Sequence, residues 1–124
     1  LLNLSMPAIA ELRVLVSIKP IAFAVNEIAG NKVKVEQLIP DLASHHDYPL
    51  KMSDHKRLHQ ADLIIWIGPE LESFLSRPLG NLSAAKQLAL MNLPNLAWPH
   101  TDNHDDHDHQ QDPHLWLNPQ NMAV

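Results

Sequence analysis

Nine histidines occur in this 124-residue chain, and five of them fall within HTDNHDDHDHQQDPH, from His100 to His114. Neutral imidazole is the commonest protein ligand for transition metals, and a His tract interleaved with carboxylates offers many donors without a fixed geometry. His100, His104, His107 and His109 are therefore expected to collect metal loosely. His114 differs, because it follows Asp112-Pro113 and directly precedes the apolar run LWLNP, Leu115 to Pro119. A ligand held by packed neighbours can select its metal. His45 and His46 stand together in a second polar segment, DLASHHDYPLKMSD, Asp41 to Asp54. His55 and His59 have the four-residue spacing of a two-His metal face. They flank Lys56 and Arg57, however, and are expected on a solvated helix surface.

Composition narrows the chemistry. With no cysteine, neither a disulfide framework nor a thiolate zinc site can form. Lys and Arg number 9 against 14 Asp and Glu, and five of those acids, Asp102, Asp105, Asp106, Asp108 and Asp112, lie in the His tract. The formal charge of −5 is thus a property of the tract. The remaining chain is balanced and carries no basic excess that would suit nucleic acid or an anionic membrane, so cations are the expected partner. A chain of this length builds one modest domain.

Residues 1–10, LLNLSMPAIA, match the apolar region and the small-x-small cleavage pattern of a secretory signal, of which they are expected to be a remnant. The run is too short to span a bilayer, which takes roughly 20 residues. Export without direct membrane insertion is the expectation.

The elements that must position the histidines alternate in type. LRVLVSI, Leu12 to Ile18, reads as a strand buried on both faces. After Lys19-Pro20, IAFAVNEIA places Phe23, Ile28 and their neighbours at helical spacing and closes on Gly30. KVKVEQLI, Lys32 to Ile39, alternates as a second strand that Pro40-Asp41 ends. Ser53 or Asp54 is expected to cap the helix SDHKRLHQA, ADLIIWIG to form a third strand, and Gly68-Pro69 to open a helix over PELESFLSR. Gln87 to Leu93 reads as a short fourth strand, and Asn118-Pro119 as the start of a further helix. Trp66 and Trp116 are expected in the core. The predicted fold class is α/β, a parallel sheet flanked by helices. In such sheets ligands gather outside the carboxyl ends of the strands. The segment with His45 and His46 follows the second strand and the tract ending in His114 follows the fourth, so His46 and His114 are expected to meet.

The residues HHDYPLKMSDHKRLHQADLIIWIGPELESFL, followed by a His/Asp tract and DPHLWLNP, resemble the N-terminal lobe of the zinc-binding periplasmic solute-binding proteins of ABC importers, the ZnuA type. The resemblance implies two α/β lobes joined by a long helix, with metal in the cleft between them. It matches His46 to the first cleft histidine, in a His-Asp-Tyr motif, and His114 to the second, in His-x-Trp-Leu. His45 occupies a position that is acidic or Pro in many relatives and is a lesser candidate ligand. Leu42 stands where relatives commonly have Gly, and Met52 where they often have Pro. On this reading residues 11–124 are one lobe, 100–113 its His/Asp-rich loop and 118–124 the start of the linking helix, with the C-terminal lobe absent. The implied function is periplasmic zinc capture and delivery to the importer's membrane permease.

Further readings of the residues remain open. Asp47 or Asp112 could orient an imidazole through its other ring nitrogen. A metal buffer or chaperone acting through the His tract alone, or a manganese-binding importer component, would use the same donors. A zinc hydrolase needs a general base, and none of the five glutamates lies in either His motif. An enzyme is not expected.

Overall fold

The computed structural model describes residues 11–94, 114, 117 and 119–122. The expected signal remnant, Trp116 and the His/Asp tract, with His100, His104, His107, His109 and Asp112, lie outside the described residues. Four strands form one parallel sheet: β1 (Leu12–Val16), β2 (Val33–Gln37), β3 (Leu63–Trp66) and β4 (Gln87–Ala89), in the order β2-β1-β3-β4. Val14 pairs with Val35 on one side and Leu63 on the other, and Ile65 pairs with Leu88. The central strands are buried on both faces, as consecutive Val14, Leu15 and Val16 are all buried, as are Ile64, Ile65 and Trp66. That is the pattern of a parallel sheet covered by helices on each side.

Helix α1 (Lys19–Ala29) begins two residues earlier than its apolar periodicity suggests, because Pro20 sits in the first turn, where a missing N–H costs nothing. It stops at Gly30, whose φ of +54° few other residues adopt. Its packing face is Ile21 with Ala22 and Val25. Phe23 and Ile28, read at helical spacing in the sequence, lie off that face and are 60% and 69% exposed. Helix α2 (Met52–Gln60) has Lys51, not Ser53 or Asp54, at its N-cap position. Asp54 is its third residue and reaches back, its Oδ2 accepting from the Lys51 amide at 2.9 Å.

The helix expected over 69–77 does not form as one piece. A turn at Gly68 leads to a 3-10 turn over Ser73–Leu75 and then to the short α3 (Ser76–Gly80). The reason is Glu72, which is fully buried. Its Oε2 accepts from the amides of Ile67 (2.8 Å) and Gly68 (3.1 Å), and its Oε1 accepts from the Ser17 hydroxyl. Gly68 has a φ of +151°, and a Cβ there would lie 3.0 Å from Met91 Sδ. Strand β4 is likewise shorter than expected, giving way to a 3-10 turn over Leu90–Asn92. A helical turn, α4 (Pro119–Met122), starts where Asn118-Pro119 suggests.

Burial raises the Glu72 carboxyl above its ordinary value of 4.5, against the lowering effect of the hydrogen bonds from Ser17, Gly68 and Ile67. A folded pKa above the unfolded one gives stability that is complete below the unfolded value and lost as pH rises through the folded value. Glu72→Gln can donate to Ser17 and still accept from both amides. It is expected to flatten the decline in stability above pH 4.5. Glu72→Ala, which strands two buried amides, should cost about 3 kcal/mol. Urea unfolding of the three proteins from about pH 4 to about pH 8 tests both expectations.

Candidate metal centre

All strands being parallel, the segments that leave their carboxyl ends emerge on one edge. The 38–51 connection from β2 to α2 carries His45 and His46, and His114 reaches the same place from beyond β4. The His46 and His114 rings lie 5.5 Å apart between centroids, at 65°. His45 completes a triangle, 4.5 Å from His46 and 5.6 Å from His114. One nitrogen from each of the three rings can be chosen so that all lie within 4.8 Å of one another. Two imidazole nitrogens bound tetrahedrally to zinc at about 2.0 to 2.1 Å sit about 3.4 Å apart, so small rotations about χ1 and χ2 would close the three on one ion.

His46 is exposed, and His45 and His114 are partly buried. The His46 amide donates to Ser44 Oγ at 3.2 Å, and the His114 carbonyl accepts from the Leu117 amide at 3.1 Å. His45 also borders a cavity of about 220 Å³ between the start of α1 and the loop after β2, lined by Ile18, Lys19, Gln37 and Asp41 among others. On its rim Lys19 Nζ lies 2.7 Å from Asp41 Oδ2. That hydrogen bond, with one from Gln37, holds the Asp41 carboxyl below its ordinary 3.8. The His45 ring is held below its ordinary 6.5, first by burial and then by the neighbouring His46 and His114 rings.

The remaining candidates fall elsewhere. Asp47 is exposed beside His46. His59 is exposed on α2, its Nδ1 lying 2.8 Å from the His55 carbonyl, and neither His59 nor His55 belongs to the imidazole cluster. Trp66 is buried in the core. Sequence reasoning overlooks Tyr48 and the role of Asp54 in tying this loop to the fold. A lone aromatic amid exposed polar residues is the available signal.

A parallel sheet with three imidazoles converging at its carboxyl edge makes this an α/β lobe with a candidate metal site. The family model for the periplasmic zinc-uptake complex component A, ZnuA, matches residues 14–124, and the chain belongs to that family. It is 39% identical over 134 aligned residues to the high-affinity zinc uptake system protein ZnuA of Yersinia pestis, covering 90% of this chain and 42% of that protein. The ZnuA of Haemophilus influenzae is 39% identical over 93 residues, or 75% of this chain and 28% of that one. Among solved structures, a Mn-bound mutant of the periplasmic metal binding protein of Candidatus Liberibacter asiaticus superposes with a TM-score of 0.73 at 25% identity, covering 90% of this chain and 40% of that one. The fold of Zn(II)-bound AdcA from Streptococcus pneumoniae matches with a TM-score of 0.71 at 22% identity, over 90% and 23% of the two chains. The chain thus spans less than half the length of each of these proteins, the share one lobe of a larger protein would take. No helix among the described residues is long and apolar enough to cross a membrane.

An imidazole must be deprotonated to ligate, so metal and protons compete. A ring whose folded pKa is depressed contributes stability that is present above its unfolded pKa and lost as pH falls through the folded value. The metal-free chain should therefore lose stability on acidification below 6.5, and His45→Asn should lessen that loss. Zinc affinity should fall over the same acid range, down to about pH 5. Denaturant unfolding of the metal-free chain, alongside calorimetric zinc titration at each pH, measures the two effects.

Proposed function

We propose that the chain captures zinc in the periplasm as part of an ABC importer, with His46 and His114 as ligands and His45 as a third, and that the whole protein hands the ion to the membrane permease. The observation that carries this reading is the convergence of three imidazoles whose nitrogens lie within 4.8 Å, in a member of the zinc-uptake component family. Three nitrogen donors favour zinc over manganese, which prefers carboxylate and water oxygen. The remaining ligand would come from the part of the relatives that this chain does not span. Dividing a site between two bodies lets a tightly held ion be released when they move apart. Asp47 and Asp112 are proposed to orient imidazoles through their second ring nitrogens. The tract from His100 to His109 is proposed as an accessory collector that raises the local supply of zinc.

The two kinds of histidine respond differently to substitution. His46→Ala or His114→Ala should weaken the tightest zinc site by about a hundredfold, since each removes a ligand fixed by the fold. Replacing His100, His104, His107 and His109 together with Asn should lower the number of zinc ions bound while leaving the tight site within about threefold. Competition against a chelator of known affinity separates these outcomes. Equal losses for the tract variant and His114→Ala would assign the function to the tract, as a buffer or chaperone.

A further inference from the structure

Two of the three imidazoles sit on a loop that packs on the core through Ala43 and Leu50, both partly buried, and through one buried residue, Tyr48. Between Ile39 and Asp54, Tyr48 alone is buried, 8% exposed, while its neighbours His46, Asp47 and Pro49 are exposed. Its ring packs edge-on to Phe74 with centroids 6.1 Å apart, and its hydroxyl donates to Asp54 Oδ2 at 3.1 Å. Asp54 is itself 4% exposed and held from several sides. The same Oδ2 accepts from the Lys51 amide at 2.9 Å, and Oδ1 lies 3.6 Å from Arg57 Nη1. Arg57 is anchored in turn to β2, donating Nη2 to the Gln37 carbonyl at 2.6 Å and placing Nε 3.6 Å from Glu36 Oε2. A continuous path of contacts runs from β2 through Arg57, Asp54 and Tyr48 to within two residues of His46.

We propose that Tyr48 and Asp54 are positioning residues for the metal ion, a buried latch that holds the His45 and His46 rings within reach of His114; this rests on the zinc-binding reading above. With the latch open, the exposed loop samples arrangements in which the rings are apart. Apparent affinity then falls by the fraction of chains that remain competent to bind. The rest of the fold does not need the Tyr48 hydroxyl. In Tyr48→Phe the ring still packs on Phe74, and Asp54 keeps its bonds to Lys51 and Arg57, so α2 retains its cap.

The test uses the full chain with His100, His104, His107 and His109 replaced by Asn, so that zinc reports the cluster alone. Chelator competition and zinc release into excess chelator are measured for Tyr48→Phe, Asp54→Asn and the double variant, alongside His46→Ala and His114→Ala. Tyr48→Phe should weaken zinc binding about tenfold, mostly through faster release, with the melting temperature of the metal-free chain nearly unchanged. The double variant should lose no more than the worse single one, because both open the same latch. Should Asp54→Asn fold poorly, Tyr48→Phe carries the test alone. If Tyr48→Phe binds and releases zinc like its parent while His46→Ala and His114→Ala lose affinity, the latch is wrong and the metal site stands. If the two histidine variants lose nothing, the metal-site reading falls and the latch with it. A Tyr48→Phe loss that a distant core variant, Leu79→Val, reproduces at equal melting temperature also overturns the proposal.

Discussion

A parallel strand must hand its chain to a crossover at its carboxyl end, so every crossover in this sheet departs from the same edge. That constraint brings His45, His46 and His114 together across 68 positions of sequence. It also creates a difficulty. Where the order β2-β1-β3-β4 places β1 beside β3, the crossovers from the two strands leave in opposite directions, and polar backbone groups just beyond both strands must find partners. Glu72 lies there, with Ser17 beyond β1 on one carboxylate oxygen and the Ile67 and Gly68 amides beyond β3 on the other. A buried carboxylate is costly unless it is hydrogen-bonded, and here its acceptors satisfy two backbone donors that would otherwise be orphaned. That point is occupied by the protein's own buried side chain, and the imidazoles gather at the loop from β2.

Much of this architecture is legible in the sequence, and the failures share a cause. β1, β2 and β3 can be read because β-branched runs bounded by Pro and Gly leave few alternatives. The helix expected after Gly68-Pro69 cannot be judged correctly, since PELESFLSR has helical composition. What breaks it is a bond from Glu72 to Ser17, 55 residues away, and local propensity yields to such tertiary demands. Asp54 is misread for a related reason. It does cap α2, but from the third position, and its carboxylate also serves a tyrosine in the preceding loop. Phe23 and Ile28 show the limit of periodicity itself, which finds a helix but not which apolar residues face inward.

At the metal centre the sequence goes further than at the turns. The His-Asp-Tyr and His-x-Trp-Leu motifs single out His46 and His114, and their rings are neighbours. His45 is the lesser candidate in the sequence because the resemblance places it where many relatives have an acidic residue or Pro. The segment after Pro40 is not extended, and in its bends two successive rings come within 4.5 Å. No pattern in one sequence reveals such a loop conformation.

Three imidazoles in so small a space are neighbours only on certain terms. At His45, burial is the larger cause of a lowered pKa, and a charge there would also stand beside the His46 and His114 rings, which hold it down further. Both effects favour the neutral ring. Neutral rings do not attract one another strongly enough to order an exposed loop, whose backbone gains roughly 1 to 2 kcal/mol per residue in entropy when it is freed. The convergence must therefore be imposed from outside the cluster. Core packing of Ala43 and Leu50, the bonds of Asp41 to Lys19 and Gln37, and Tyr48, buried and bonded to Asp54, all tie the loop to the fold, and Tyr48 is the tether nearest His46. The imidazoles thus owe their proximity to contacts made by other residues of the loop.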